Sequence, residues 1–261
     1  MAEDRTVTAC LIIIGNEILS GRTQDKNLAH IAKGLNDAGV RLVHARVIPD
    51  VRETIVSTVN ECRAAYDYVF TTGGIGPTHD DITSECVAEA FGVRMVRDPH
   101  IARLMEERTR ARGQEMNEAR LRMATFPEGA ELLPNEISVA PGYRIGNVFV
   151  MAGIPSVMHV MFEHAKRHLK GGRRVEARAV TIDLGEGTIA EPLAMLQARY
   201  REIDIGSYPH MGTGGFRVSL VMRGTDGALL DRVREELKQM LRDLGGNPVD
   251  EDVEGTPAAA G

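Results

Sequence analysis

Residues 71–83 read TTGGIGPTHDDIT: a β-rich run ends at Thr72, three glycines and a proline follow, and two adjacent aspartates lead into a helix-forming stretch. Gly73, Gly74 and Gly76 permit φ > 0 and let the backbone approach a ligand closely. A loop feeding a helix N-terminus offers free N–H groups and the positive end of the helix dipole, which favour an anion such as phosphate. Asp80 and Asp81 would repel that anion unless a cation lies between them. An oxygen-liganded divalent ion, Mg²⁺ or a relative such as Mn²⁺ or Co²⁺, reconciles the two. Read without a ligand, Thr78 and Asp81 form a capping pair, and an aspartate in the first helical turn contributes ~0.3–1 kcal/mol. That reading accounts for Asp81 but leaves Asp80 and the three glycines unexplained. The loop is neither G-x-G-x-x-G nor a Walker A motif, which argues against a Rossmann dehydrogenase and a P-loop NTPase.

Working outward, strands alternate with helices on both sides of this loop. TVTACLIII (6–14) is almost wholly apolar, as a strand buried on both faces should be. A helix follows over about 26–38, with Leu28, Ile31, Ala32 and Leu35 as its apolar stripe and Gly39 as its stop. RLVHARVI (41–48) is a second strand, Asp50 and Glu53 resemble a capping box opening a helix to about Ala65, and YDYVFTT (66–72) is the third strand. After the loop a helix buries Ile82, Cys86, Val87, Ala90 and Phe91 and stops at Gly92. A helical excursion from Pro99 to about Met123 precedes another buried strand, NVFVMAG (147–153), and Pro155 opens the next helix. This alternation implies a mostly parallel sheet covered on both faces.

Near LKGGRR (169–174) the pattern changes to strand, helix, strand, strand, helix over 175–244, a small α+β unit of β-α-β-β-α order. The expected domains are therefore 1–170 and 171–246, followed by an acidic, Pro-containing tail, 247–261, expected to be disordered. The GTGG at 212–215 joins two strands and reads as a hairpin, not a nucleic-acid clamp. His79 reads as a solvated loop residue, His164 and His168 as parts of a surface helix, and Glu186 as a helix-start acid.

A formal charge of −6 on 261 residues argues against a chain that coats nucleic acid or an anionic membrane. Cys10, Cys62 and Cys86 are far apart and sit in apolar patterns, as reduced core thiols do. The longest apolar run is too short to span a bilayer, and no leader opens the chain. A cytoplasmic protein is expected.

In open parallel sheets ligands bind outside the carboxyl ends of the strands. GNEILSG (15–21), the 71–81 loop and AGIP (152–155) all follow strands, and APG (140–142) lies just before the last one. The sequence TGGIGPTHDDIT, with GNEILSG ahead of it and Asn27 soon after, resembles the molybdopterin-binding-domain superfamily. Its nearest kinds are the CinA-like branch (competence/damage-inducible protein A) and the N-terminal domain of two-domain FAD synthases. PEGAELLPN (127–135), APG and AGIP occur in the family's order, so the resemblance covers about 6–168. The small unit, including GSYP (206–209), is similar to the second domain of CinA-like proteins.

The resemblance implies a three-layer α/β/α domain and a pocket for a phosphorylated pterin (molybdopterin) or nucleotide. For CinA-like members it implies metal-dependent cleavage of the ADP-ribose pyrophosphate, with FAD as a related substrate. It carries ligand binding to Gly15, Glu17, Asn27, Thr72, Gly73, Gly74, Gly76, Thr78, Pro141, Gly142 and Gly153, and metal binding with catalysis to Asp80 and Asp81. Two segments depart from the family pattern: Ser138-Val139 stands where many members have Gly-Thr, and AGIPSV where many have Pro-Gly-Val-Pro and an acid. The nicotinamide mononucleotide deamidase domain that often follows in CinA proteins is not expected here. Adenylyl transfer to molybdopterin and non-catalytic pterin or nucleotide binding stay open beside hydrolysis. A homo-oligomer, a dimer first, is expected from the resemblance.

Overall fold

The computed structural model describes residues 5–212 and 215–252. The chain divides between Arg173 and Arg174 into two compact units. The first begins with β1 (Val7–Ile14), the short α1 (Asn16–Leu19), α2 (Asn27–Asp37), β2 (Val40–Ile48), α3 (Arg52–Ala65), β3 (Tyr68–Thr72) and α4 (Thr83–Phe91). It continues through β4 (Met95–Arg97), α5 (Pro99–Ala111), α6 (Glu118–Arg122), β5 (Thr125–Pro127), β6 (Glu131–Leu133), β7 (Gly142–Ile145), β8 (Val148–Met151) and α7 (Pro155–Lys166). The six-stranded sheet runs β2-β1-β3-β8-β7-β6. Its first four strands are parallel, and β7 and β6 extend it by antiparallel pairing.

Period-two alternation along β1 explains why that strand is apolar throughout. Cys10, Ile12 and Ile14 point into a core shared with Ile55, Val59 and Cys62 of α3 and Cys86 and Val87 of α4. Ala9, Leu11 and Ile13 point to the other face, against Ile31 and Leu35 of α2 and Met158, Met161 and Phe162 of α7. The domain is thus the expected three-layer α/β/α arrangement. Cys10 Sγ lies 3.5 Å from Cys62 Sγ in the first core, and burial pushes the Cys10 thiol up to about 12.

The structure corrects several local readings. Leu28, assigned to the apolar stripe of α2, is exposed. The Asp50–Glu53 capping box does not form: Val51 is the N-cap of α3, without a side-chain cap. The Asp50 carboxylate instead accepts the Asn16 N–H at 2.8 Å, tying the start of α1 to the end of β2. The excursion over 99–123 is two helices, interrupted where Gly113 adopts a φ of +68°. Between them and β8 lie short strands, and with β4 before them they make four, β4 to β7, that the sequence pattern does not announce. Gly171 and Gly172, placed by the sequence pattern at the start of the second domain, belong to the first unit, where Gly172 N–H donates to Gly39 O at 2.9 Å.

The second unit contains β9 (Glu176–Ile182), α8 (Glu186–Arg199), β10 (Asp204–Gly212), β11 (Gly215–Gly224), α9 (Gly227–Asp243) and β12 (Val249–Glu251). Its antiparallel sheet runs β10-β11-β9-β12. One face packs Val180, Ile182, Leu220 and Met222 against Leu230, Val233, Leu237 and Leu241 of α9. Of the tail expected to be disordered, the part up to residue 252 is corrected by β12, which pairs with β9, and residues 253–261 lie outside the described residues. The Glu251 carboxylate fastens it by accepting from the Thr181 and Ser219 hydroxyls, each at 2.6 Å. The hairpin reading of 212–215 is met by the Gly212–Gly215 pair in register, while residues 213 and 214 lie outside the described residues.

Candidate functional site

The loop after β3 is held at both ends by the protein itself. Gly73 N–H donates to Met151 O at 3.1 Å, which continues the β3–β8 ladder. Gly73 has a φ of +102°, and a Cβ there would lie 2.1 Å from the Ile14 carbonyl oxygen, so no larger residue fits beside β1. Gly74 has a φ of +69°, and its Cβ would lie 2.1 Å from Thr83 Oγ1. The Thr83 hydroxyl donates to Gly73 O at 3.0 Å, and Thr83 N–H donates to Gly74 O at 3.0 Å. These glycines therefore make room for close contacts within the loop, and the Gly73 and Thr83 amides are not offered to an anion.

The aspartates stand ahead of the helix. Helix α4 begins at Thr83 with Ile82 as its N-cap and no side-chain cap, so Thr78 and Asp81 pair with each other in the turn ahead of the helix without capping it. Thr78 N–H donates to Asp81 Oδ2 at 2.8 Å. The Thr78 hydroxyl lies 2.5 Å from Asp81 Oδ2 and 2.6 Å from Asp80 Oδ1. A hydroxyl carries one proton and serves one of these acceptors at a time. Two carboxylate oxygens thus converge on a point where a single proton is shared. The Thr78 hydroxyl first, then the Asp80 backbone, holds the Asp80 carboxyl below the usual carboxylate range. Gly76 belongs to the same turn, since a Cβ there would lie 2.6 Å from Asp81 Oδ2. His79 is almost fully exposed beside it, as expected.

Asp81 also lines a cavity of about 220 Å³, whose wall includes Ile75, Gly76, Ser84, Glu85, Met95, Arg97, Arg122, Phe126, Pro141 and Tyr143. Arg122 of α6 donates to Glu85 at 3.1 Å and comes within 3.5 Å of the carbonyl oxygens of Thr78 and Asp81. Arg52 binds the same Glu85 at 3.0 Å, so a guanidinium–carboxylate chain braces the aspartate turn against α4. Arg97 is held by Glu118 at 2.8 Å.

The remaining expected ligand residues lie at the ends of the strands. Asn27, only 3% exposed, donates from Nδ2 to Gly153 O at 2.9 Å. Gly153 in turn abuts Gly73, and the Glu17 carboxylate folds over Gly15. The Thr72 hydroxyl and Asn27 Oδ1 are buried there without a hydrogen-bond partner. Gly142 serves packing: a Cβ would lie 2.6 Å from Val150 O and 3.0 Å from Met161 Sδ.

Two convergent carboxylates on a partly exposed turn fit a cation that keeps most of its waters, as Mg²⁺ does when it also binds substrate phosphate. Among the described residues no group of three or more His, Cys, Asp or Glu side chains is arranged to hold a metal by itself.

Residues 10–170 match the probable molybdopterin binding domain, and residues 174–247 match the FAD synthase middle domain. The chain belongs to the molybdopterin-binding-domain family. Its relatives include a protein of Archaeoglobus fulgidus, 30% identical over 233 residues that cover 89% of this chain and 97% of that one. A CinA-like protein of Desulfosudis oleivorans is 35% identical over 195 residues, covering 70% of this chain and 47% of the relative. A probable FAD synthase of Caenorhabditis elegans is 30% identical over 258 residues, covering 90% and 50%. The chain spans about half the length of these last two relatives. Among solved structures, CinA from Thermoplasma acidophilum, described as of unknown function, superposes with a TM-score of 0.57 at 29% identity, covering 62% of this chain and 97% of that one. No described helix is long and apolar enough to cross a membrane.

Within this family domain, sequence reasoning reaches the aspartate turn and the strand-end glycines but misses Arg97, Arg122, Phe126 and Tyr143. These four stand on strands of three or four residues and one five-residue helix. Segments so short show no periodicity that could assign a face.

Proposed function

We propose that this CinA-like molybdopterin-binding-domain protein is a divalent-metal-dependent nucleotide pyrophosphatase acting on ADP-ribose or a related dinucleotide such as FAD. The observation that carries the reading is the convergence of Asp80 Oδ1 and Asp81 Oδ2 on one Thr78 hydroxyl at the edge of a cavity. Asp80 and Asp81 would hold the cation, which supplies charge neutralisation at the pyrophosphate and acidifies water. Asp80 is ionised at neutral pH as any aspartate is, and the Thr78 hydroxyl favours its charged form further. Arg122 keeps the turn in place through Glu85 and the two loop carbonyls. Water attacks one phosphorus, the bond to the bridging oxygen breaks, and ADP-ribose yields AMP and ribose 5-phosphate. Such a reaction needs positioning and electrostatics, not a covalent nucleophile.

The test is a screen of ADP-ribose, FAD and related nucleotides with Mg²⁺, Mn²⁺ and Co²⁺, read as AMP release. Metal-dependent AMP release from ADP-ribose without a pterin supports the proposal. Pterin-dependent consumption of ATP would replace it with adenylyl transfer to molybdopterin, and tight binding without turnover would replace it with a binding module. A homodimer belongs to the same reading, and a monomer mass by light scattering at micromolar concentration would remove that part.

A further inference from the structure

Tyr143 is 1% exposed, yet its hydroxyl has no hydrogen-bond partner of good geometry within the protein. The Ser84 side chain lies near enough to interact with that hydroxyl but not in a geometry that completes a hydrogen bond, and both residues line the cavity that Asp81 borders. Burial pushes the phenol well above its ordinary pKa, so it stays a neutral O–H able to donate. A buried hydroxyl left unpaired costs about 1–3 kcal/mol. Phenylalanine would therefore be the more stable residue at this position in the empty protein. Tyr143 has a companion: strand register places Thr71, Val150 and Tyr143 in one row on this face, and the Thr71 hydroxyl is also buried and unpartnered.

The rest of the wall is suited to a flat, apolar-faced group. Ile75, Met95 and Phe126 line the same cavity, and the Phe126 ring meets Tyr143 edge-on at 5.9 Å and 67°. A volume of about 220 Å³ is smaller than the roughly 300–1,000 Å³ of a site enclosing a whole small molecule, so the cavity takes one portion of a ligand. The acidic turn at its edge is where the cation and phosphate of that ligand would lie. The ring, joined to that phosphate through the sugar or ribityl chain, then falls to the interior.

We infer that this cavity is the subsite for the planar nitrogen heterocycle of a nucleotide ligand, and that Tyr143 determines specificity by donating its hydroxyl to a polar edge atom of that ring. The inference rests on the nucleotide reading above. Filling the cavity with such a ring completes the hydroxyl's hydrogen bonding and excludes a ring that offers no acceptor there, because the buried donor would again be left unpaired.

Tyr143→Phe removes one oxygen and leaves the packing, which makes it the decisive variant. Binding of AMP, flavin mononucleotide and the ring-free ribose 5-phosphate, each with Mg²⁺, is measured by calorimetry on the full chain, alongside melting temperature. The expected result is an unchanged or raised melting temperature, about tenfold weaker binding of AMP or flavin mononucleotide, as the loss of one hydrogen bond implies, and unchanged ribose 5-phosphate binding. The ring that suffers the loss identifies the occupant as adenine or isoalloxazine. Equal affinities for wild type and variant, or an equal loss for ribose 5-phosphate, would overturn the inference while leaving the nucleotide site standing. A fall in melting temperature would also overturn it, since the hydroxyl would then be satisfied in the empty protein. Failure of the wild type to bind any of the three would overturn the nucleotide reading itself and the subsite with it.

Discussion

Asn27, the first residue of α2, donates its Nδ2 proton to the carbonyl oxygen of Gly153, just beyond β8, at 2.9 Å across 126 residues of chain. Two segments that only the folded sheet brings together are joined by this one amide. Asn27→Ala should cost about 0.5–1.5 kcal/mol, the net worth of one hydrogen bond, because the exposed Gly153 carbonyl can turn to water when its donor is removed. Asn27→Asp should cost more than Asn27→Ala, since a carboxylate would face that carbonyl in a buried place. Urea unfolding of the three proteins gives the order. An aspartate variant as stable as wild type would show that the bond contributes nothing.

The glycines divide by what surrounds them. Gly73→Ala places a Cβ 2.1 Å from the Ile14 carbonyl oxygen at a φ of +102°, a collision with backbone that no rotamer relieves. Gly92 has a φ of +66° at the end of α4, and a Cβ added there would meet nothing within 4 Å. Gly92→Ala should therefore cost on the order of 1–2 kcal/mol from left-handed strain alone. Gly73→Ala should cost clearly more and lower the yield of folded protein. Thermal unfolding of both variants checks the difference, and equal losses would contradict the tight loop geometry.

A pH dependence follows from the contact between α2 and α7. The His30 and His159 rings stack there with centroids 3.7 Å apart and an interplanar angle of 13°. Desolvation first, then the neighbouring His159, holds the His30 pKa below its ordinary 6.5; Glu163 opposes this and Lys166 adds to it. The unfolded chain thus binds a proton at His30 more readily than the folded one. Stability is full above the unfolded value and declines as pH falls below about 6.5. The melting temperature should be lower at pH 5.5 than at pH 7.5 on the order of a few degrees, and His30→Gln should reduce that drop. An undiminished drop in the variant would assign the effect to other groups.

The legible part of this protein is the part with repeated pattern. TVTACLIII announces a strand covered on both faces because nearly every side chain along it is apolar, and both cores claim alternate residues. The 71–83 motif is legible as a loop with acidic residues, but its glycines, taken alone, read as room for a ligand. Their reasons, Ile14 O and Thr83 Oγ1, become visible only when β1 and α4 are placed beside the loop. Asp50 with Glu53 has the spacing of a capping box whichever amide takes the carboxylate, and the amide that takes it belongs to Asn16, 34 residues away. Arg122 and Tyr143 carry no local signal of their role, since one comes from a five-residue helix and the other from a four-residue strand.

The aspartate turn offers the sharpest separation of structure from chemistry. Asp81 precedes the N-cap of α4, so replacing it does not remove a helix cap. In Asp81→Asn the amide oxygen still accepts the Thr78 N–H, and stability should change by no more than about 1 kcal/mol. A neutral amide is a poor substitute for a charged oxygen ligand, so metal-dependent AMP release from ADP-ribose should fall by about a hundredfold or more. Asp80→Asn should behave likewise, because Asp80 Oδ1 faces the same Thr78 hydroxyl as Asp81 Oδ2. A third variant, Thr78→Val, removes the shared hydroxyl but leaves both charges. Its activity should fall less than that of either aspartate variant, with the metal requirement shifted to higher concentration as the two carboxylates lose their common anchor. The assay is AMP release over a Mg²⁺ titration for wild type and the three variants, with melting temperatures measured in parallel. Loss of activity in step with loss of melting temperature would make the turn a structural element, and full activity in both aspartate variants would end their assignment to a metal.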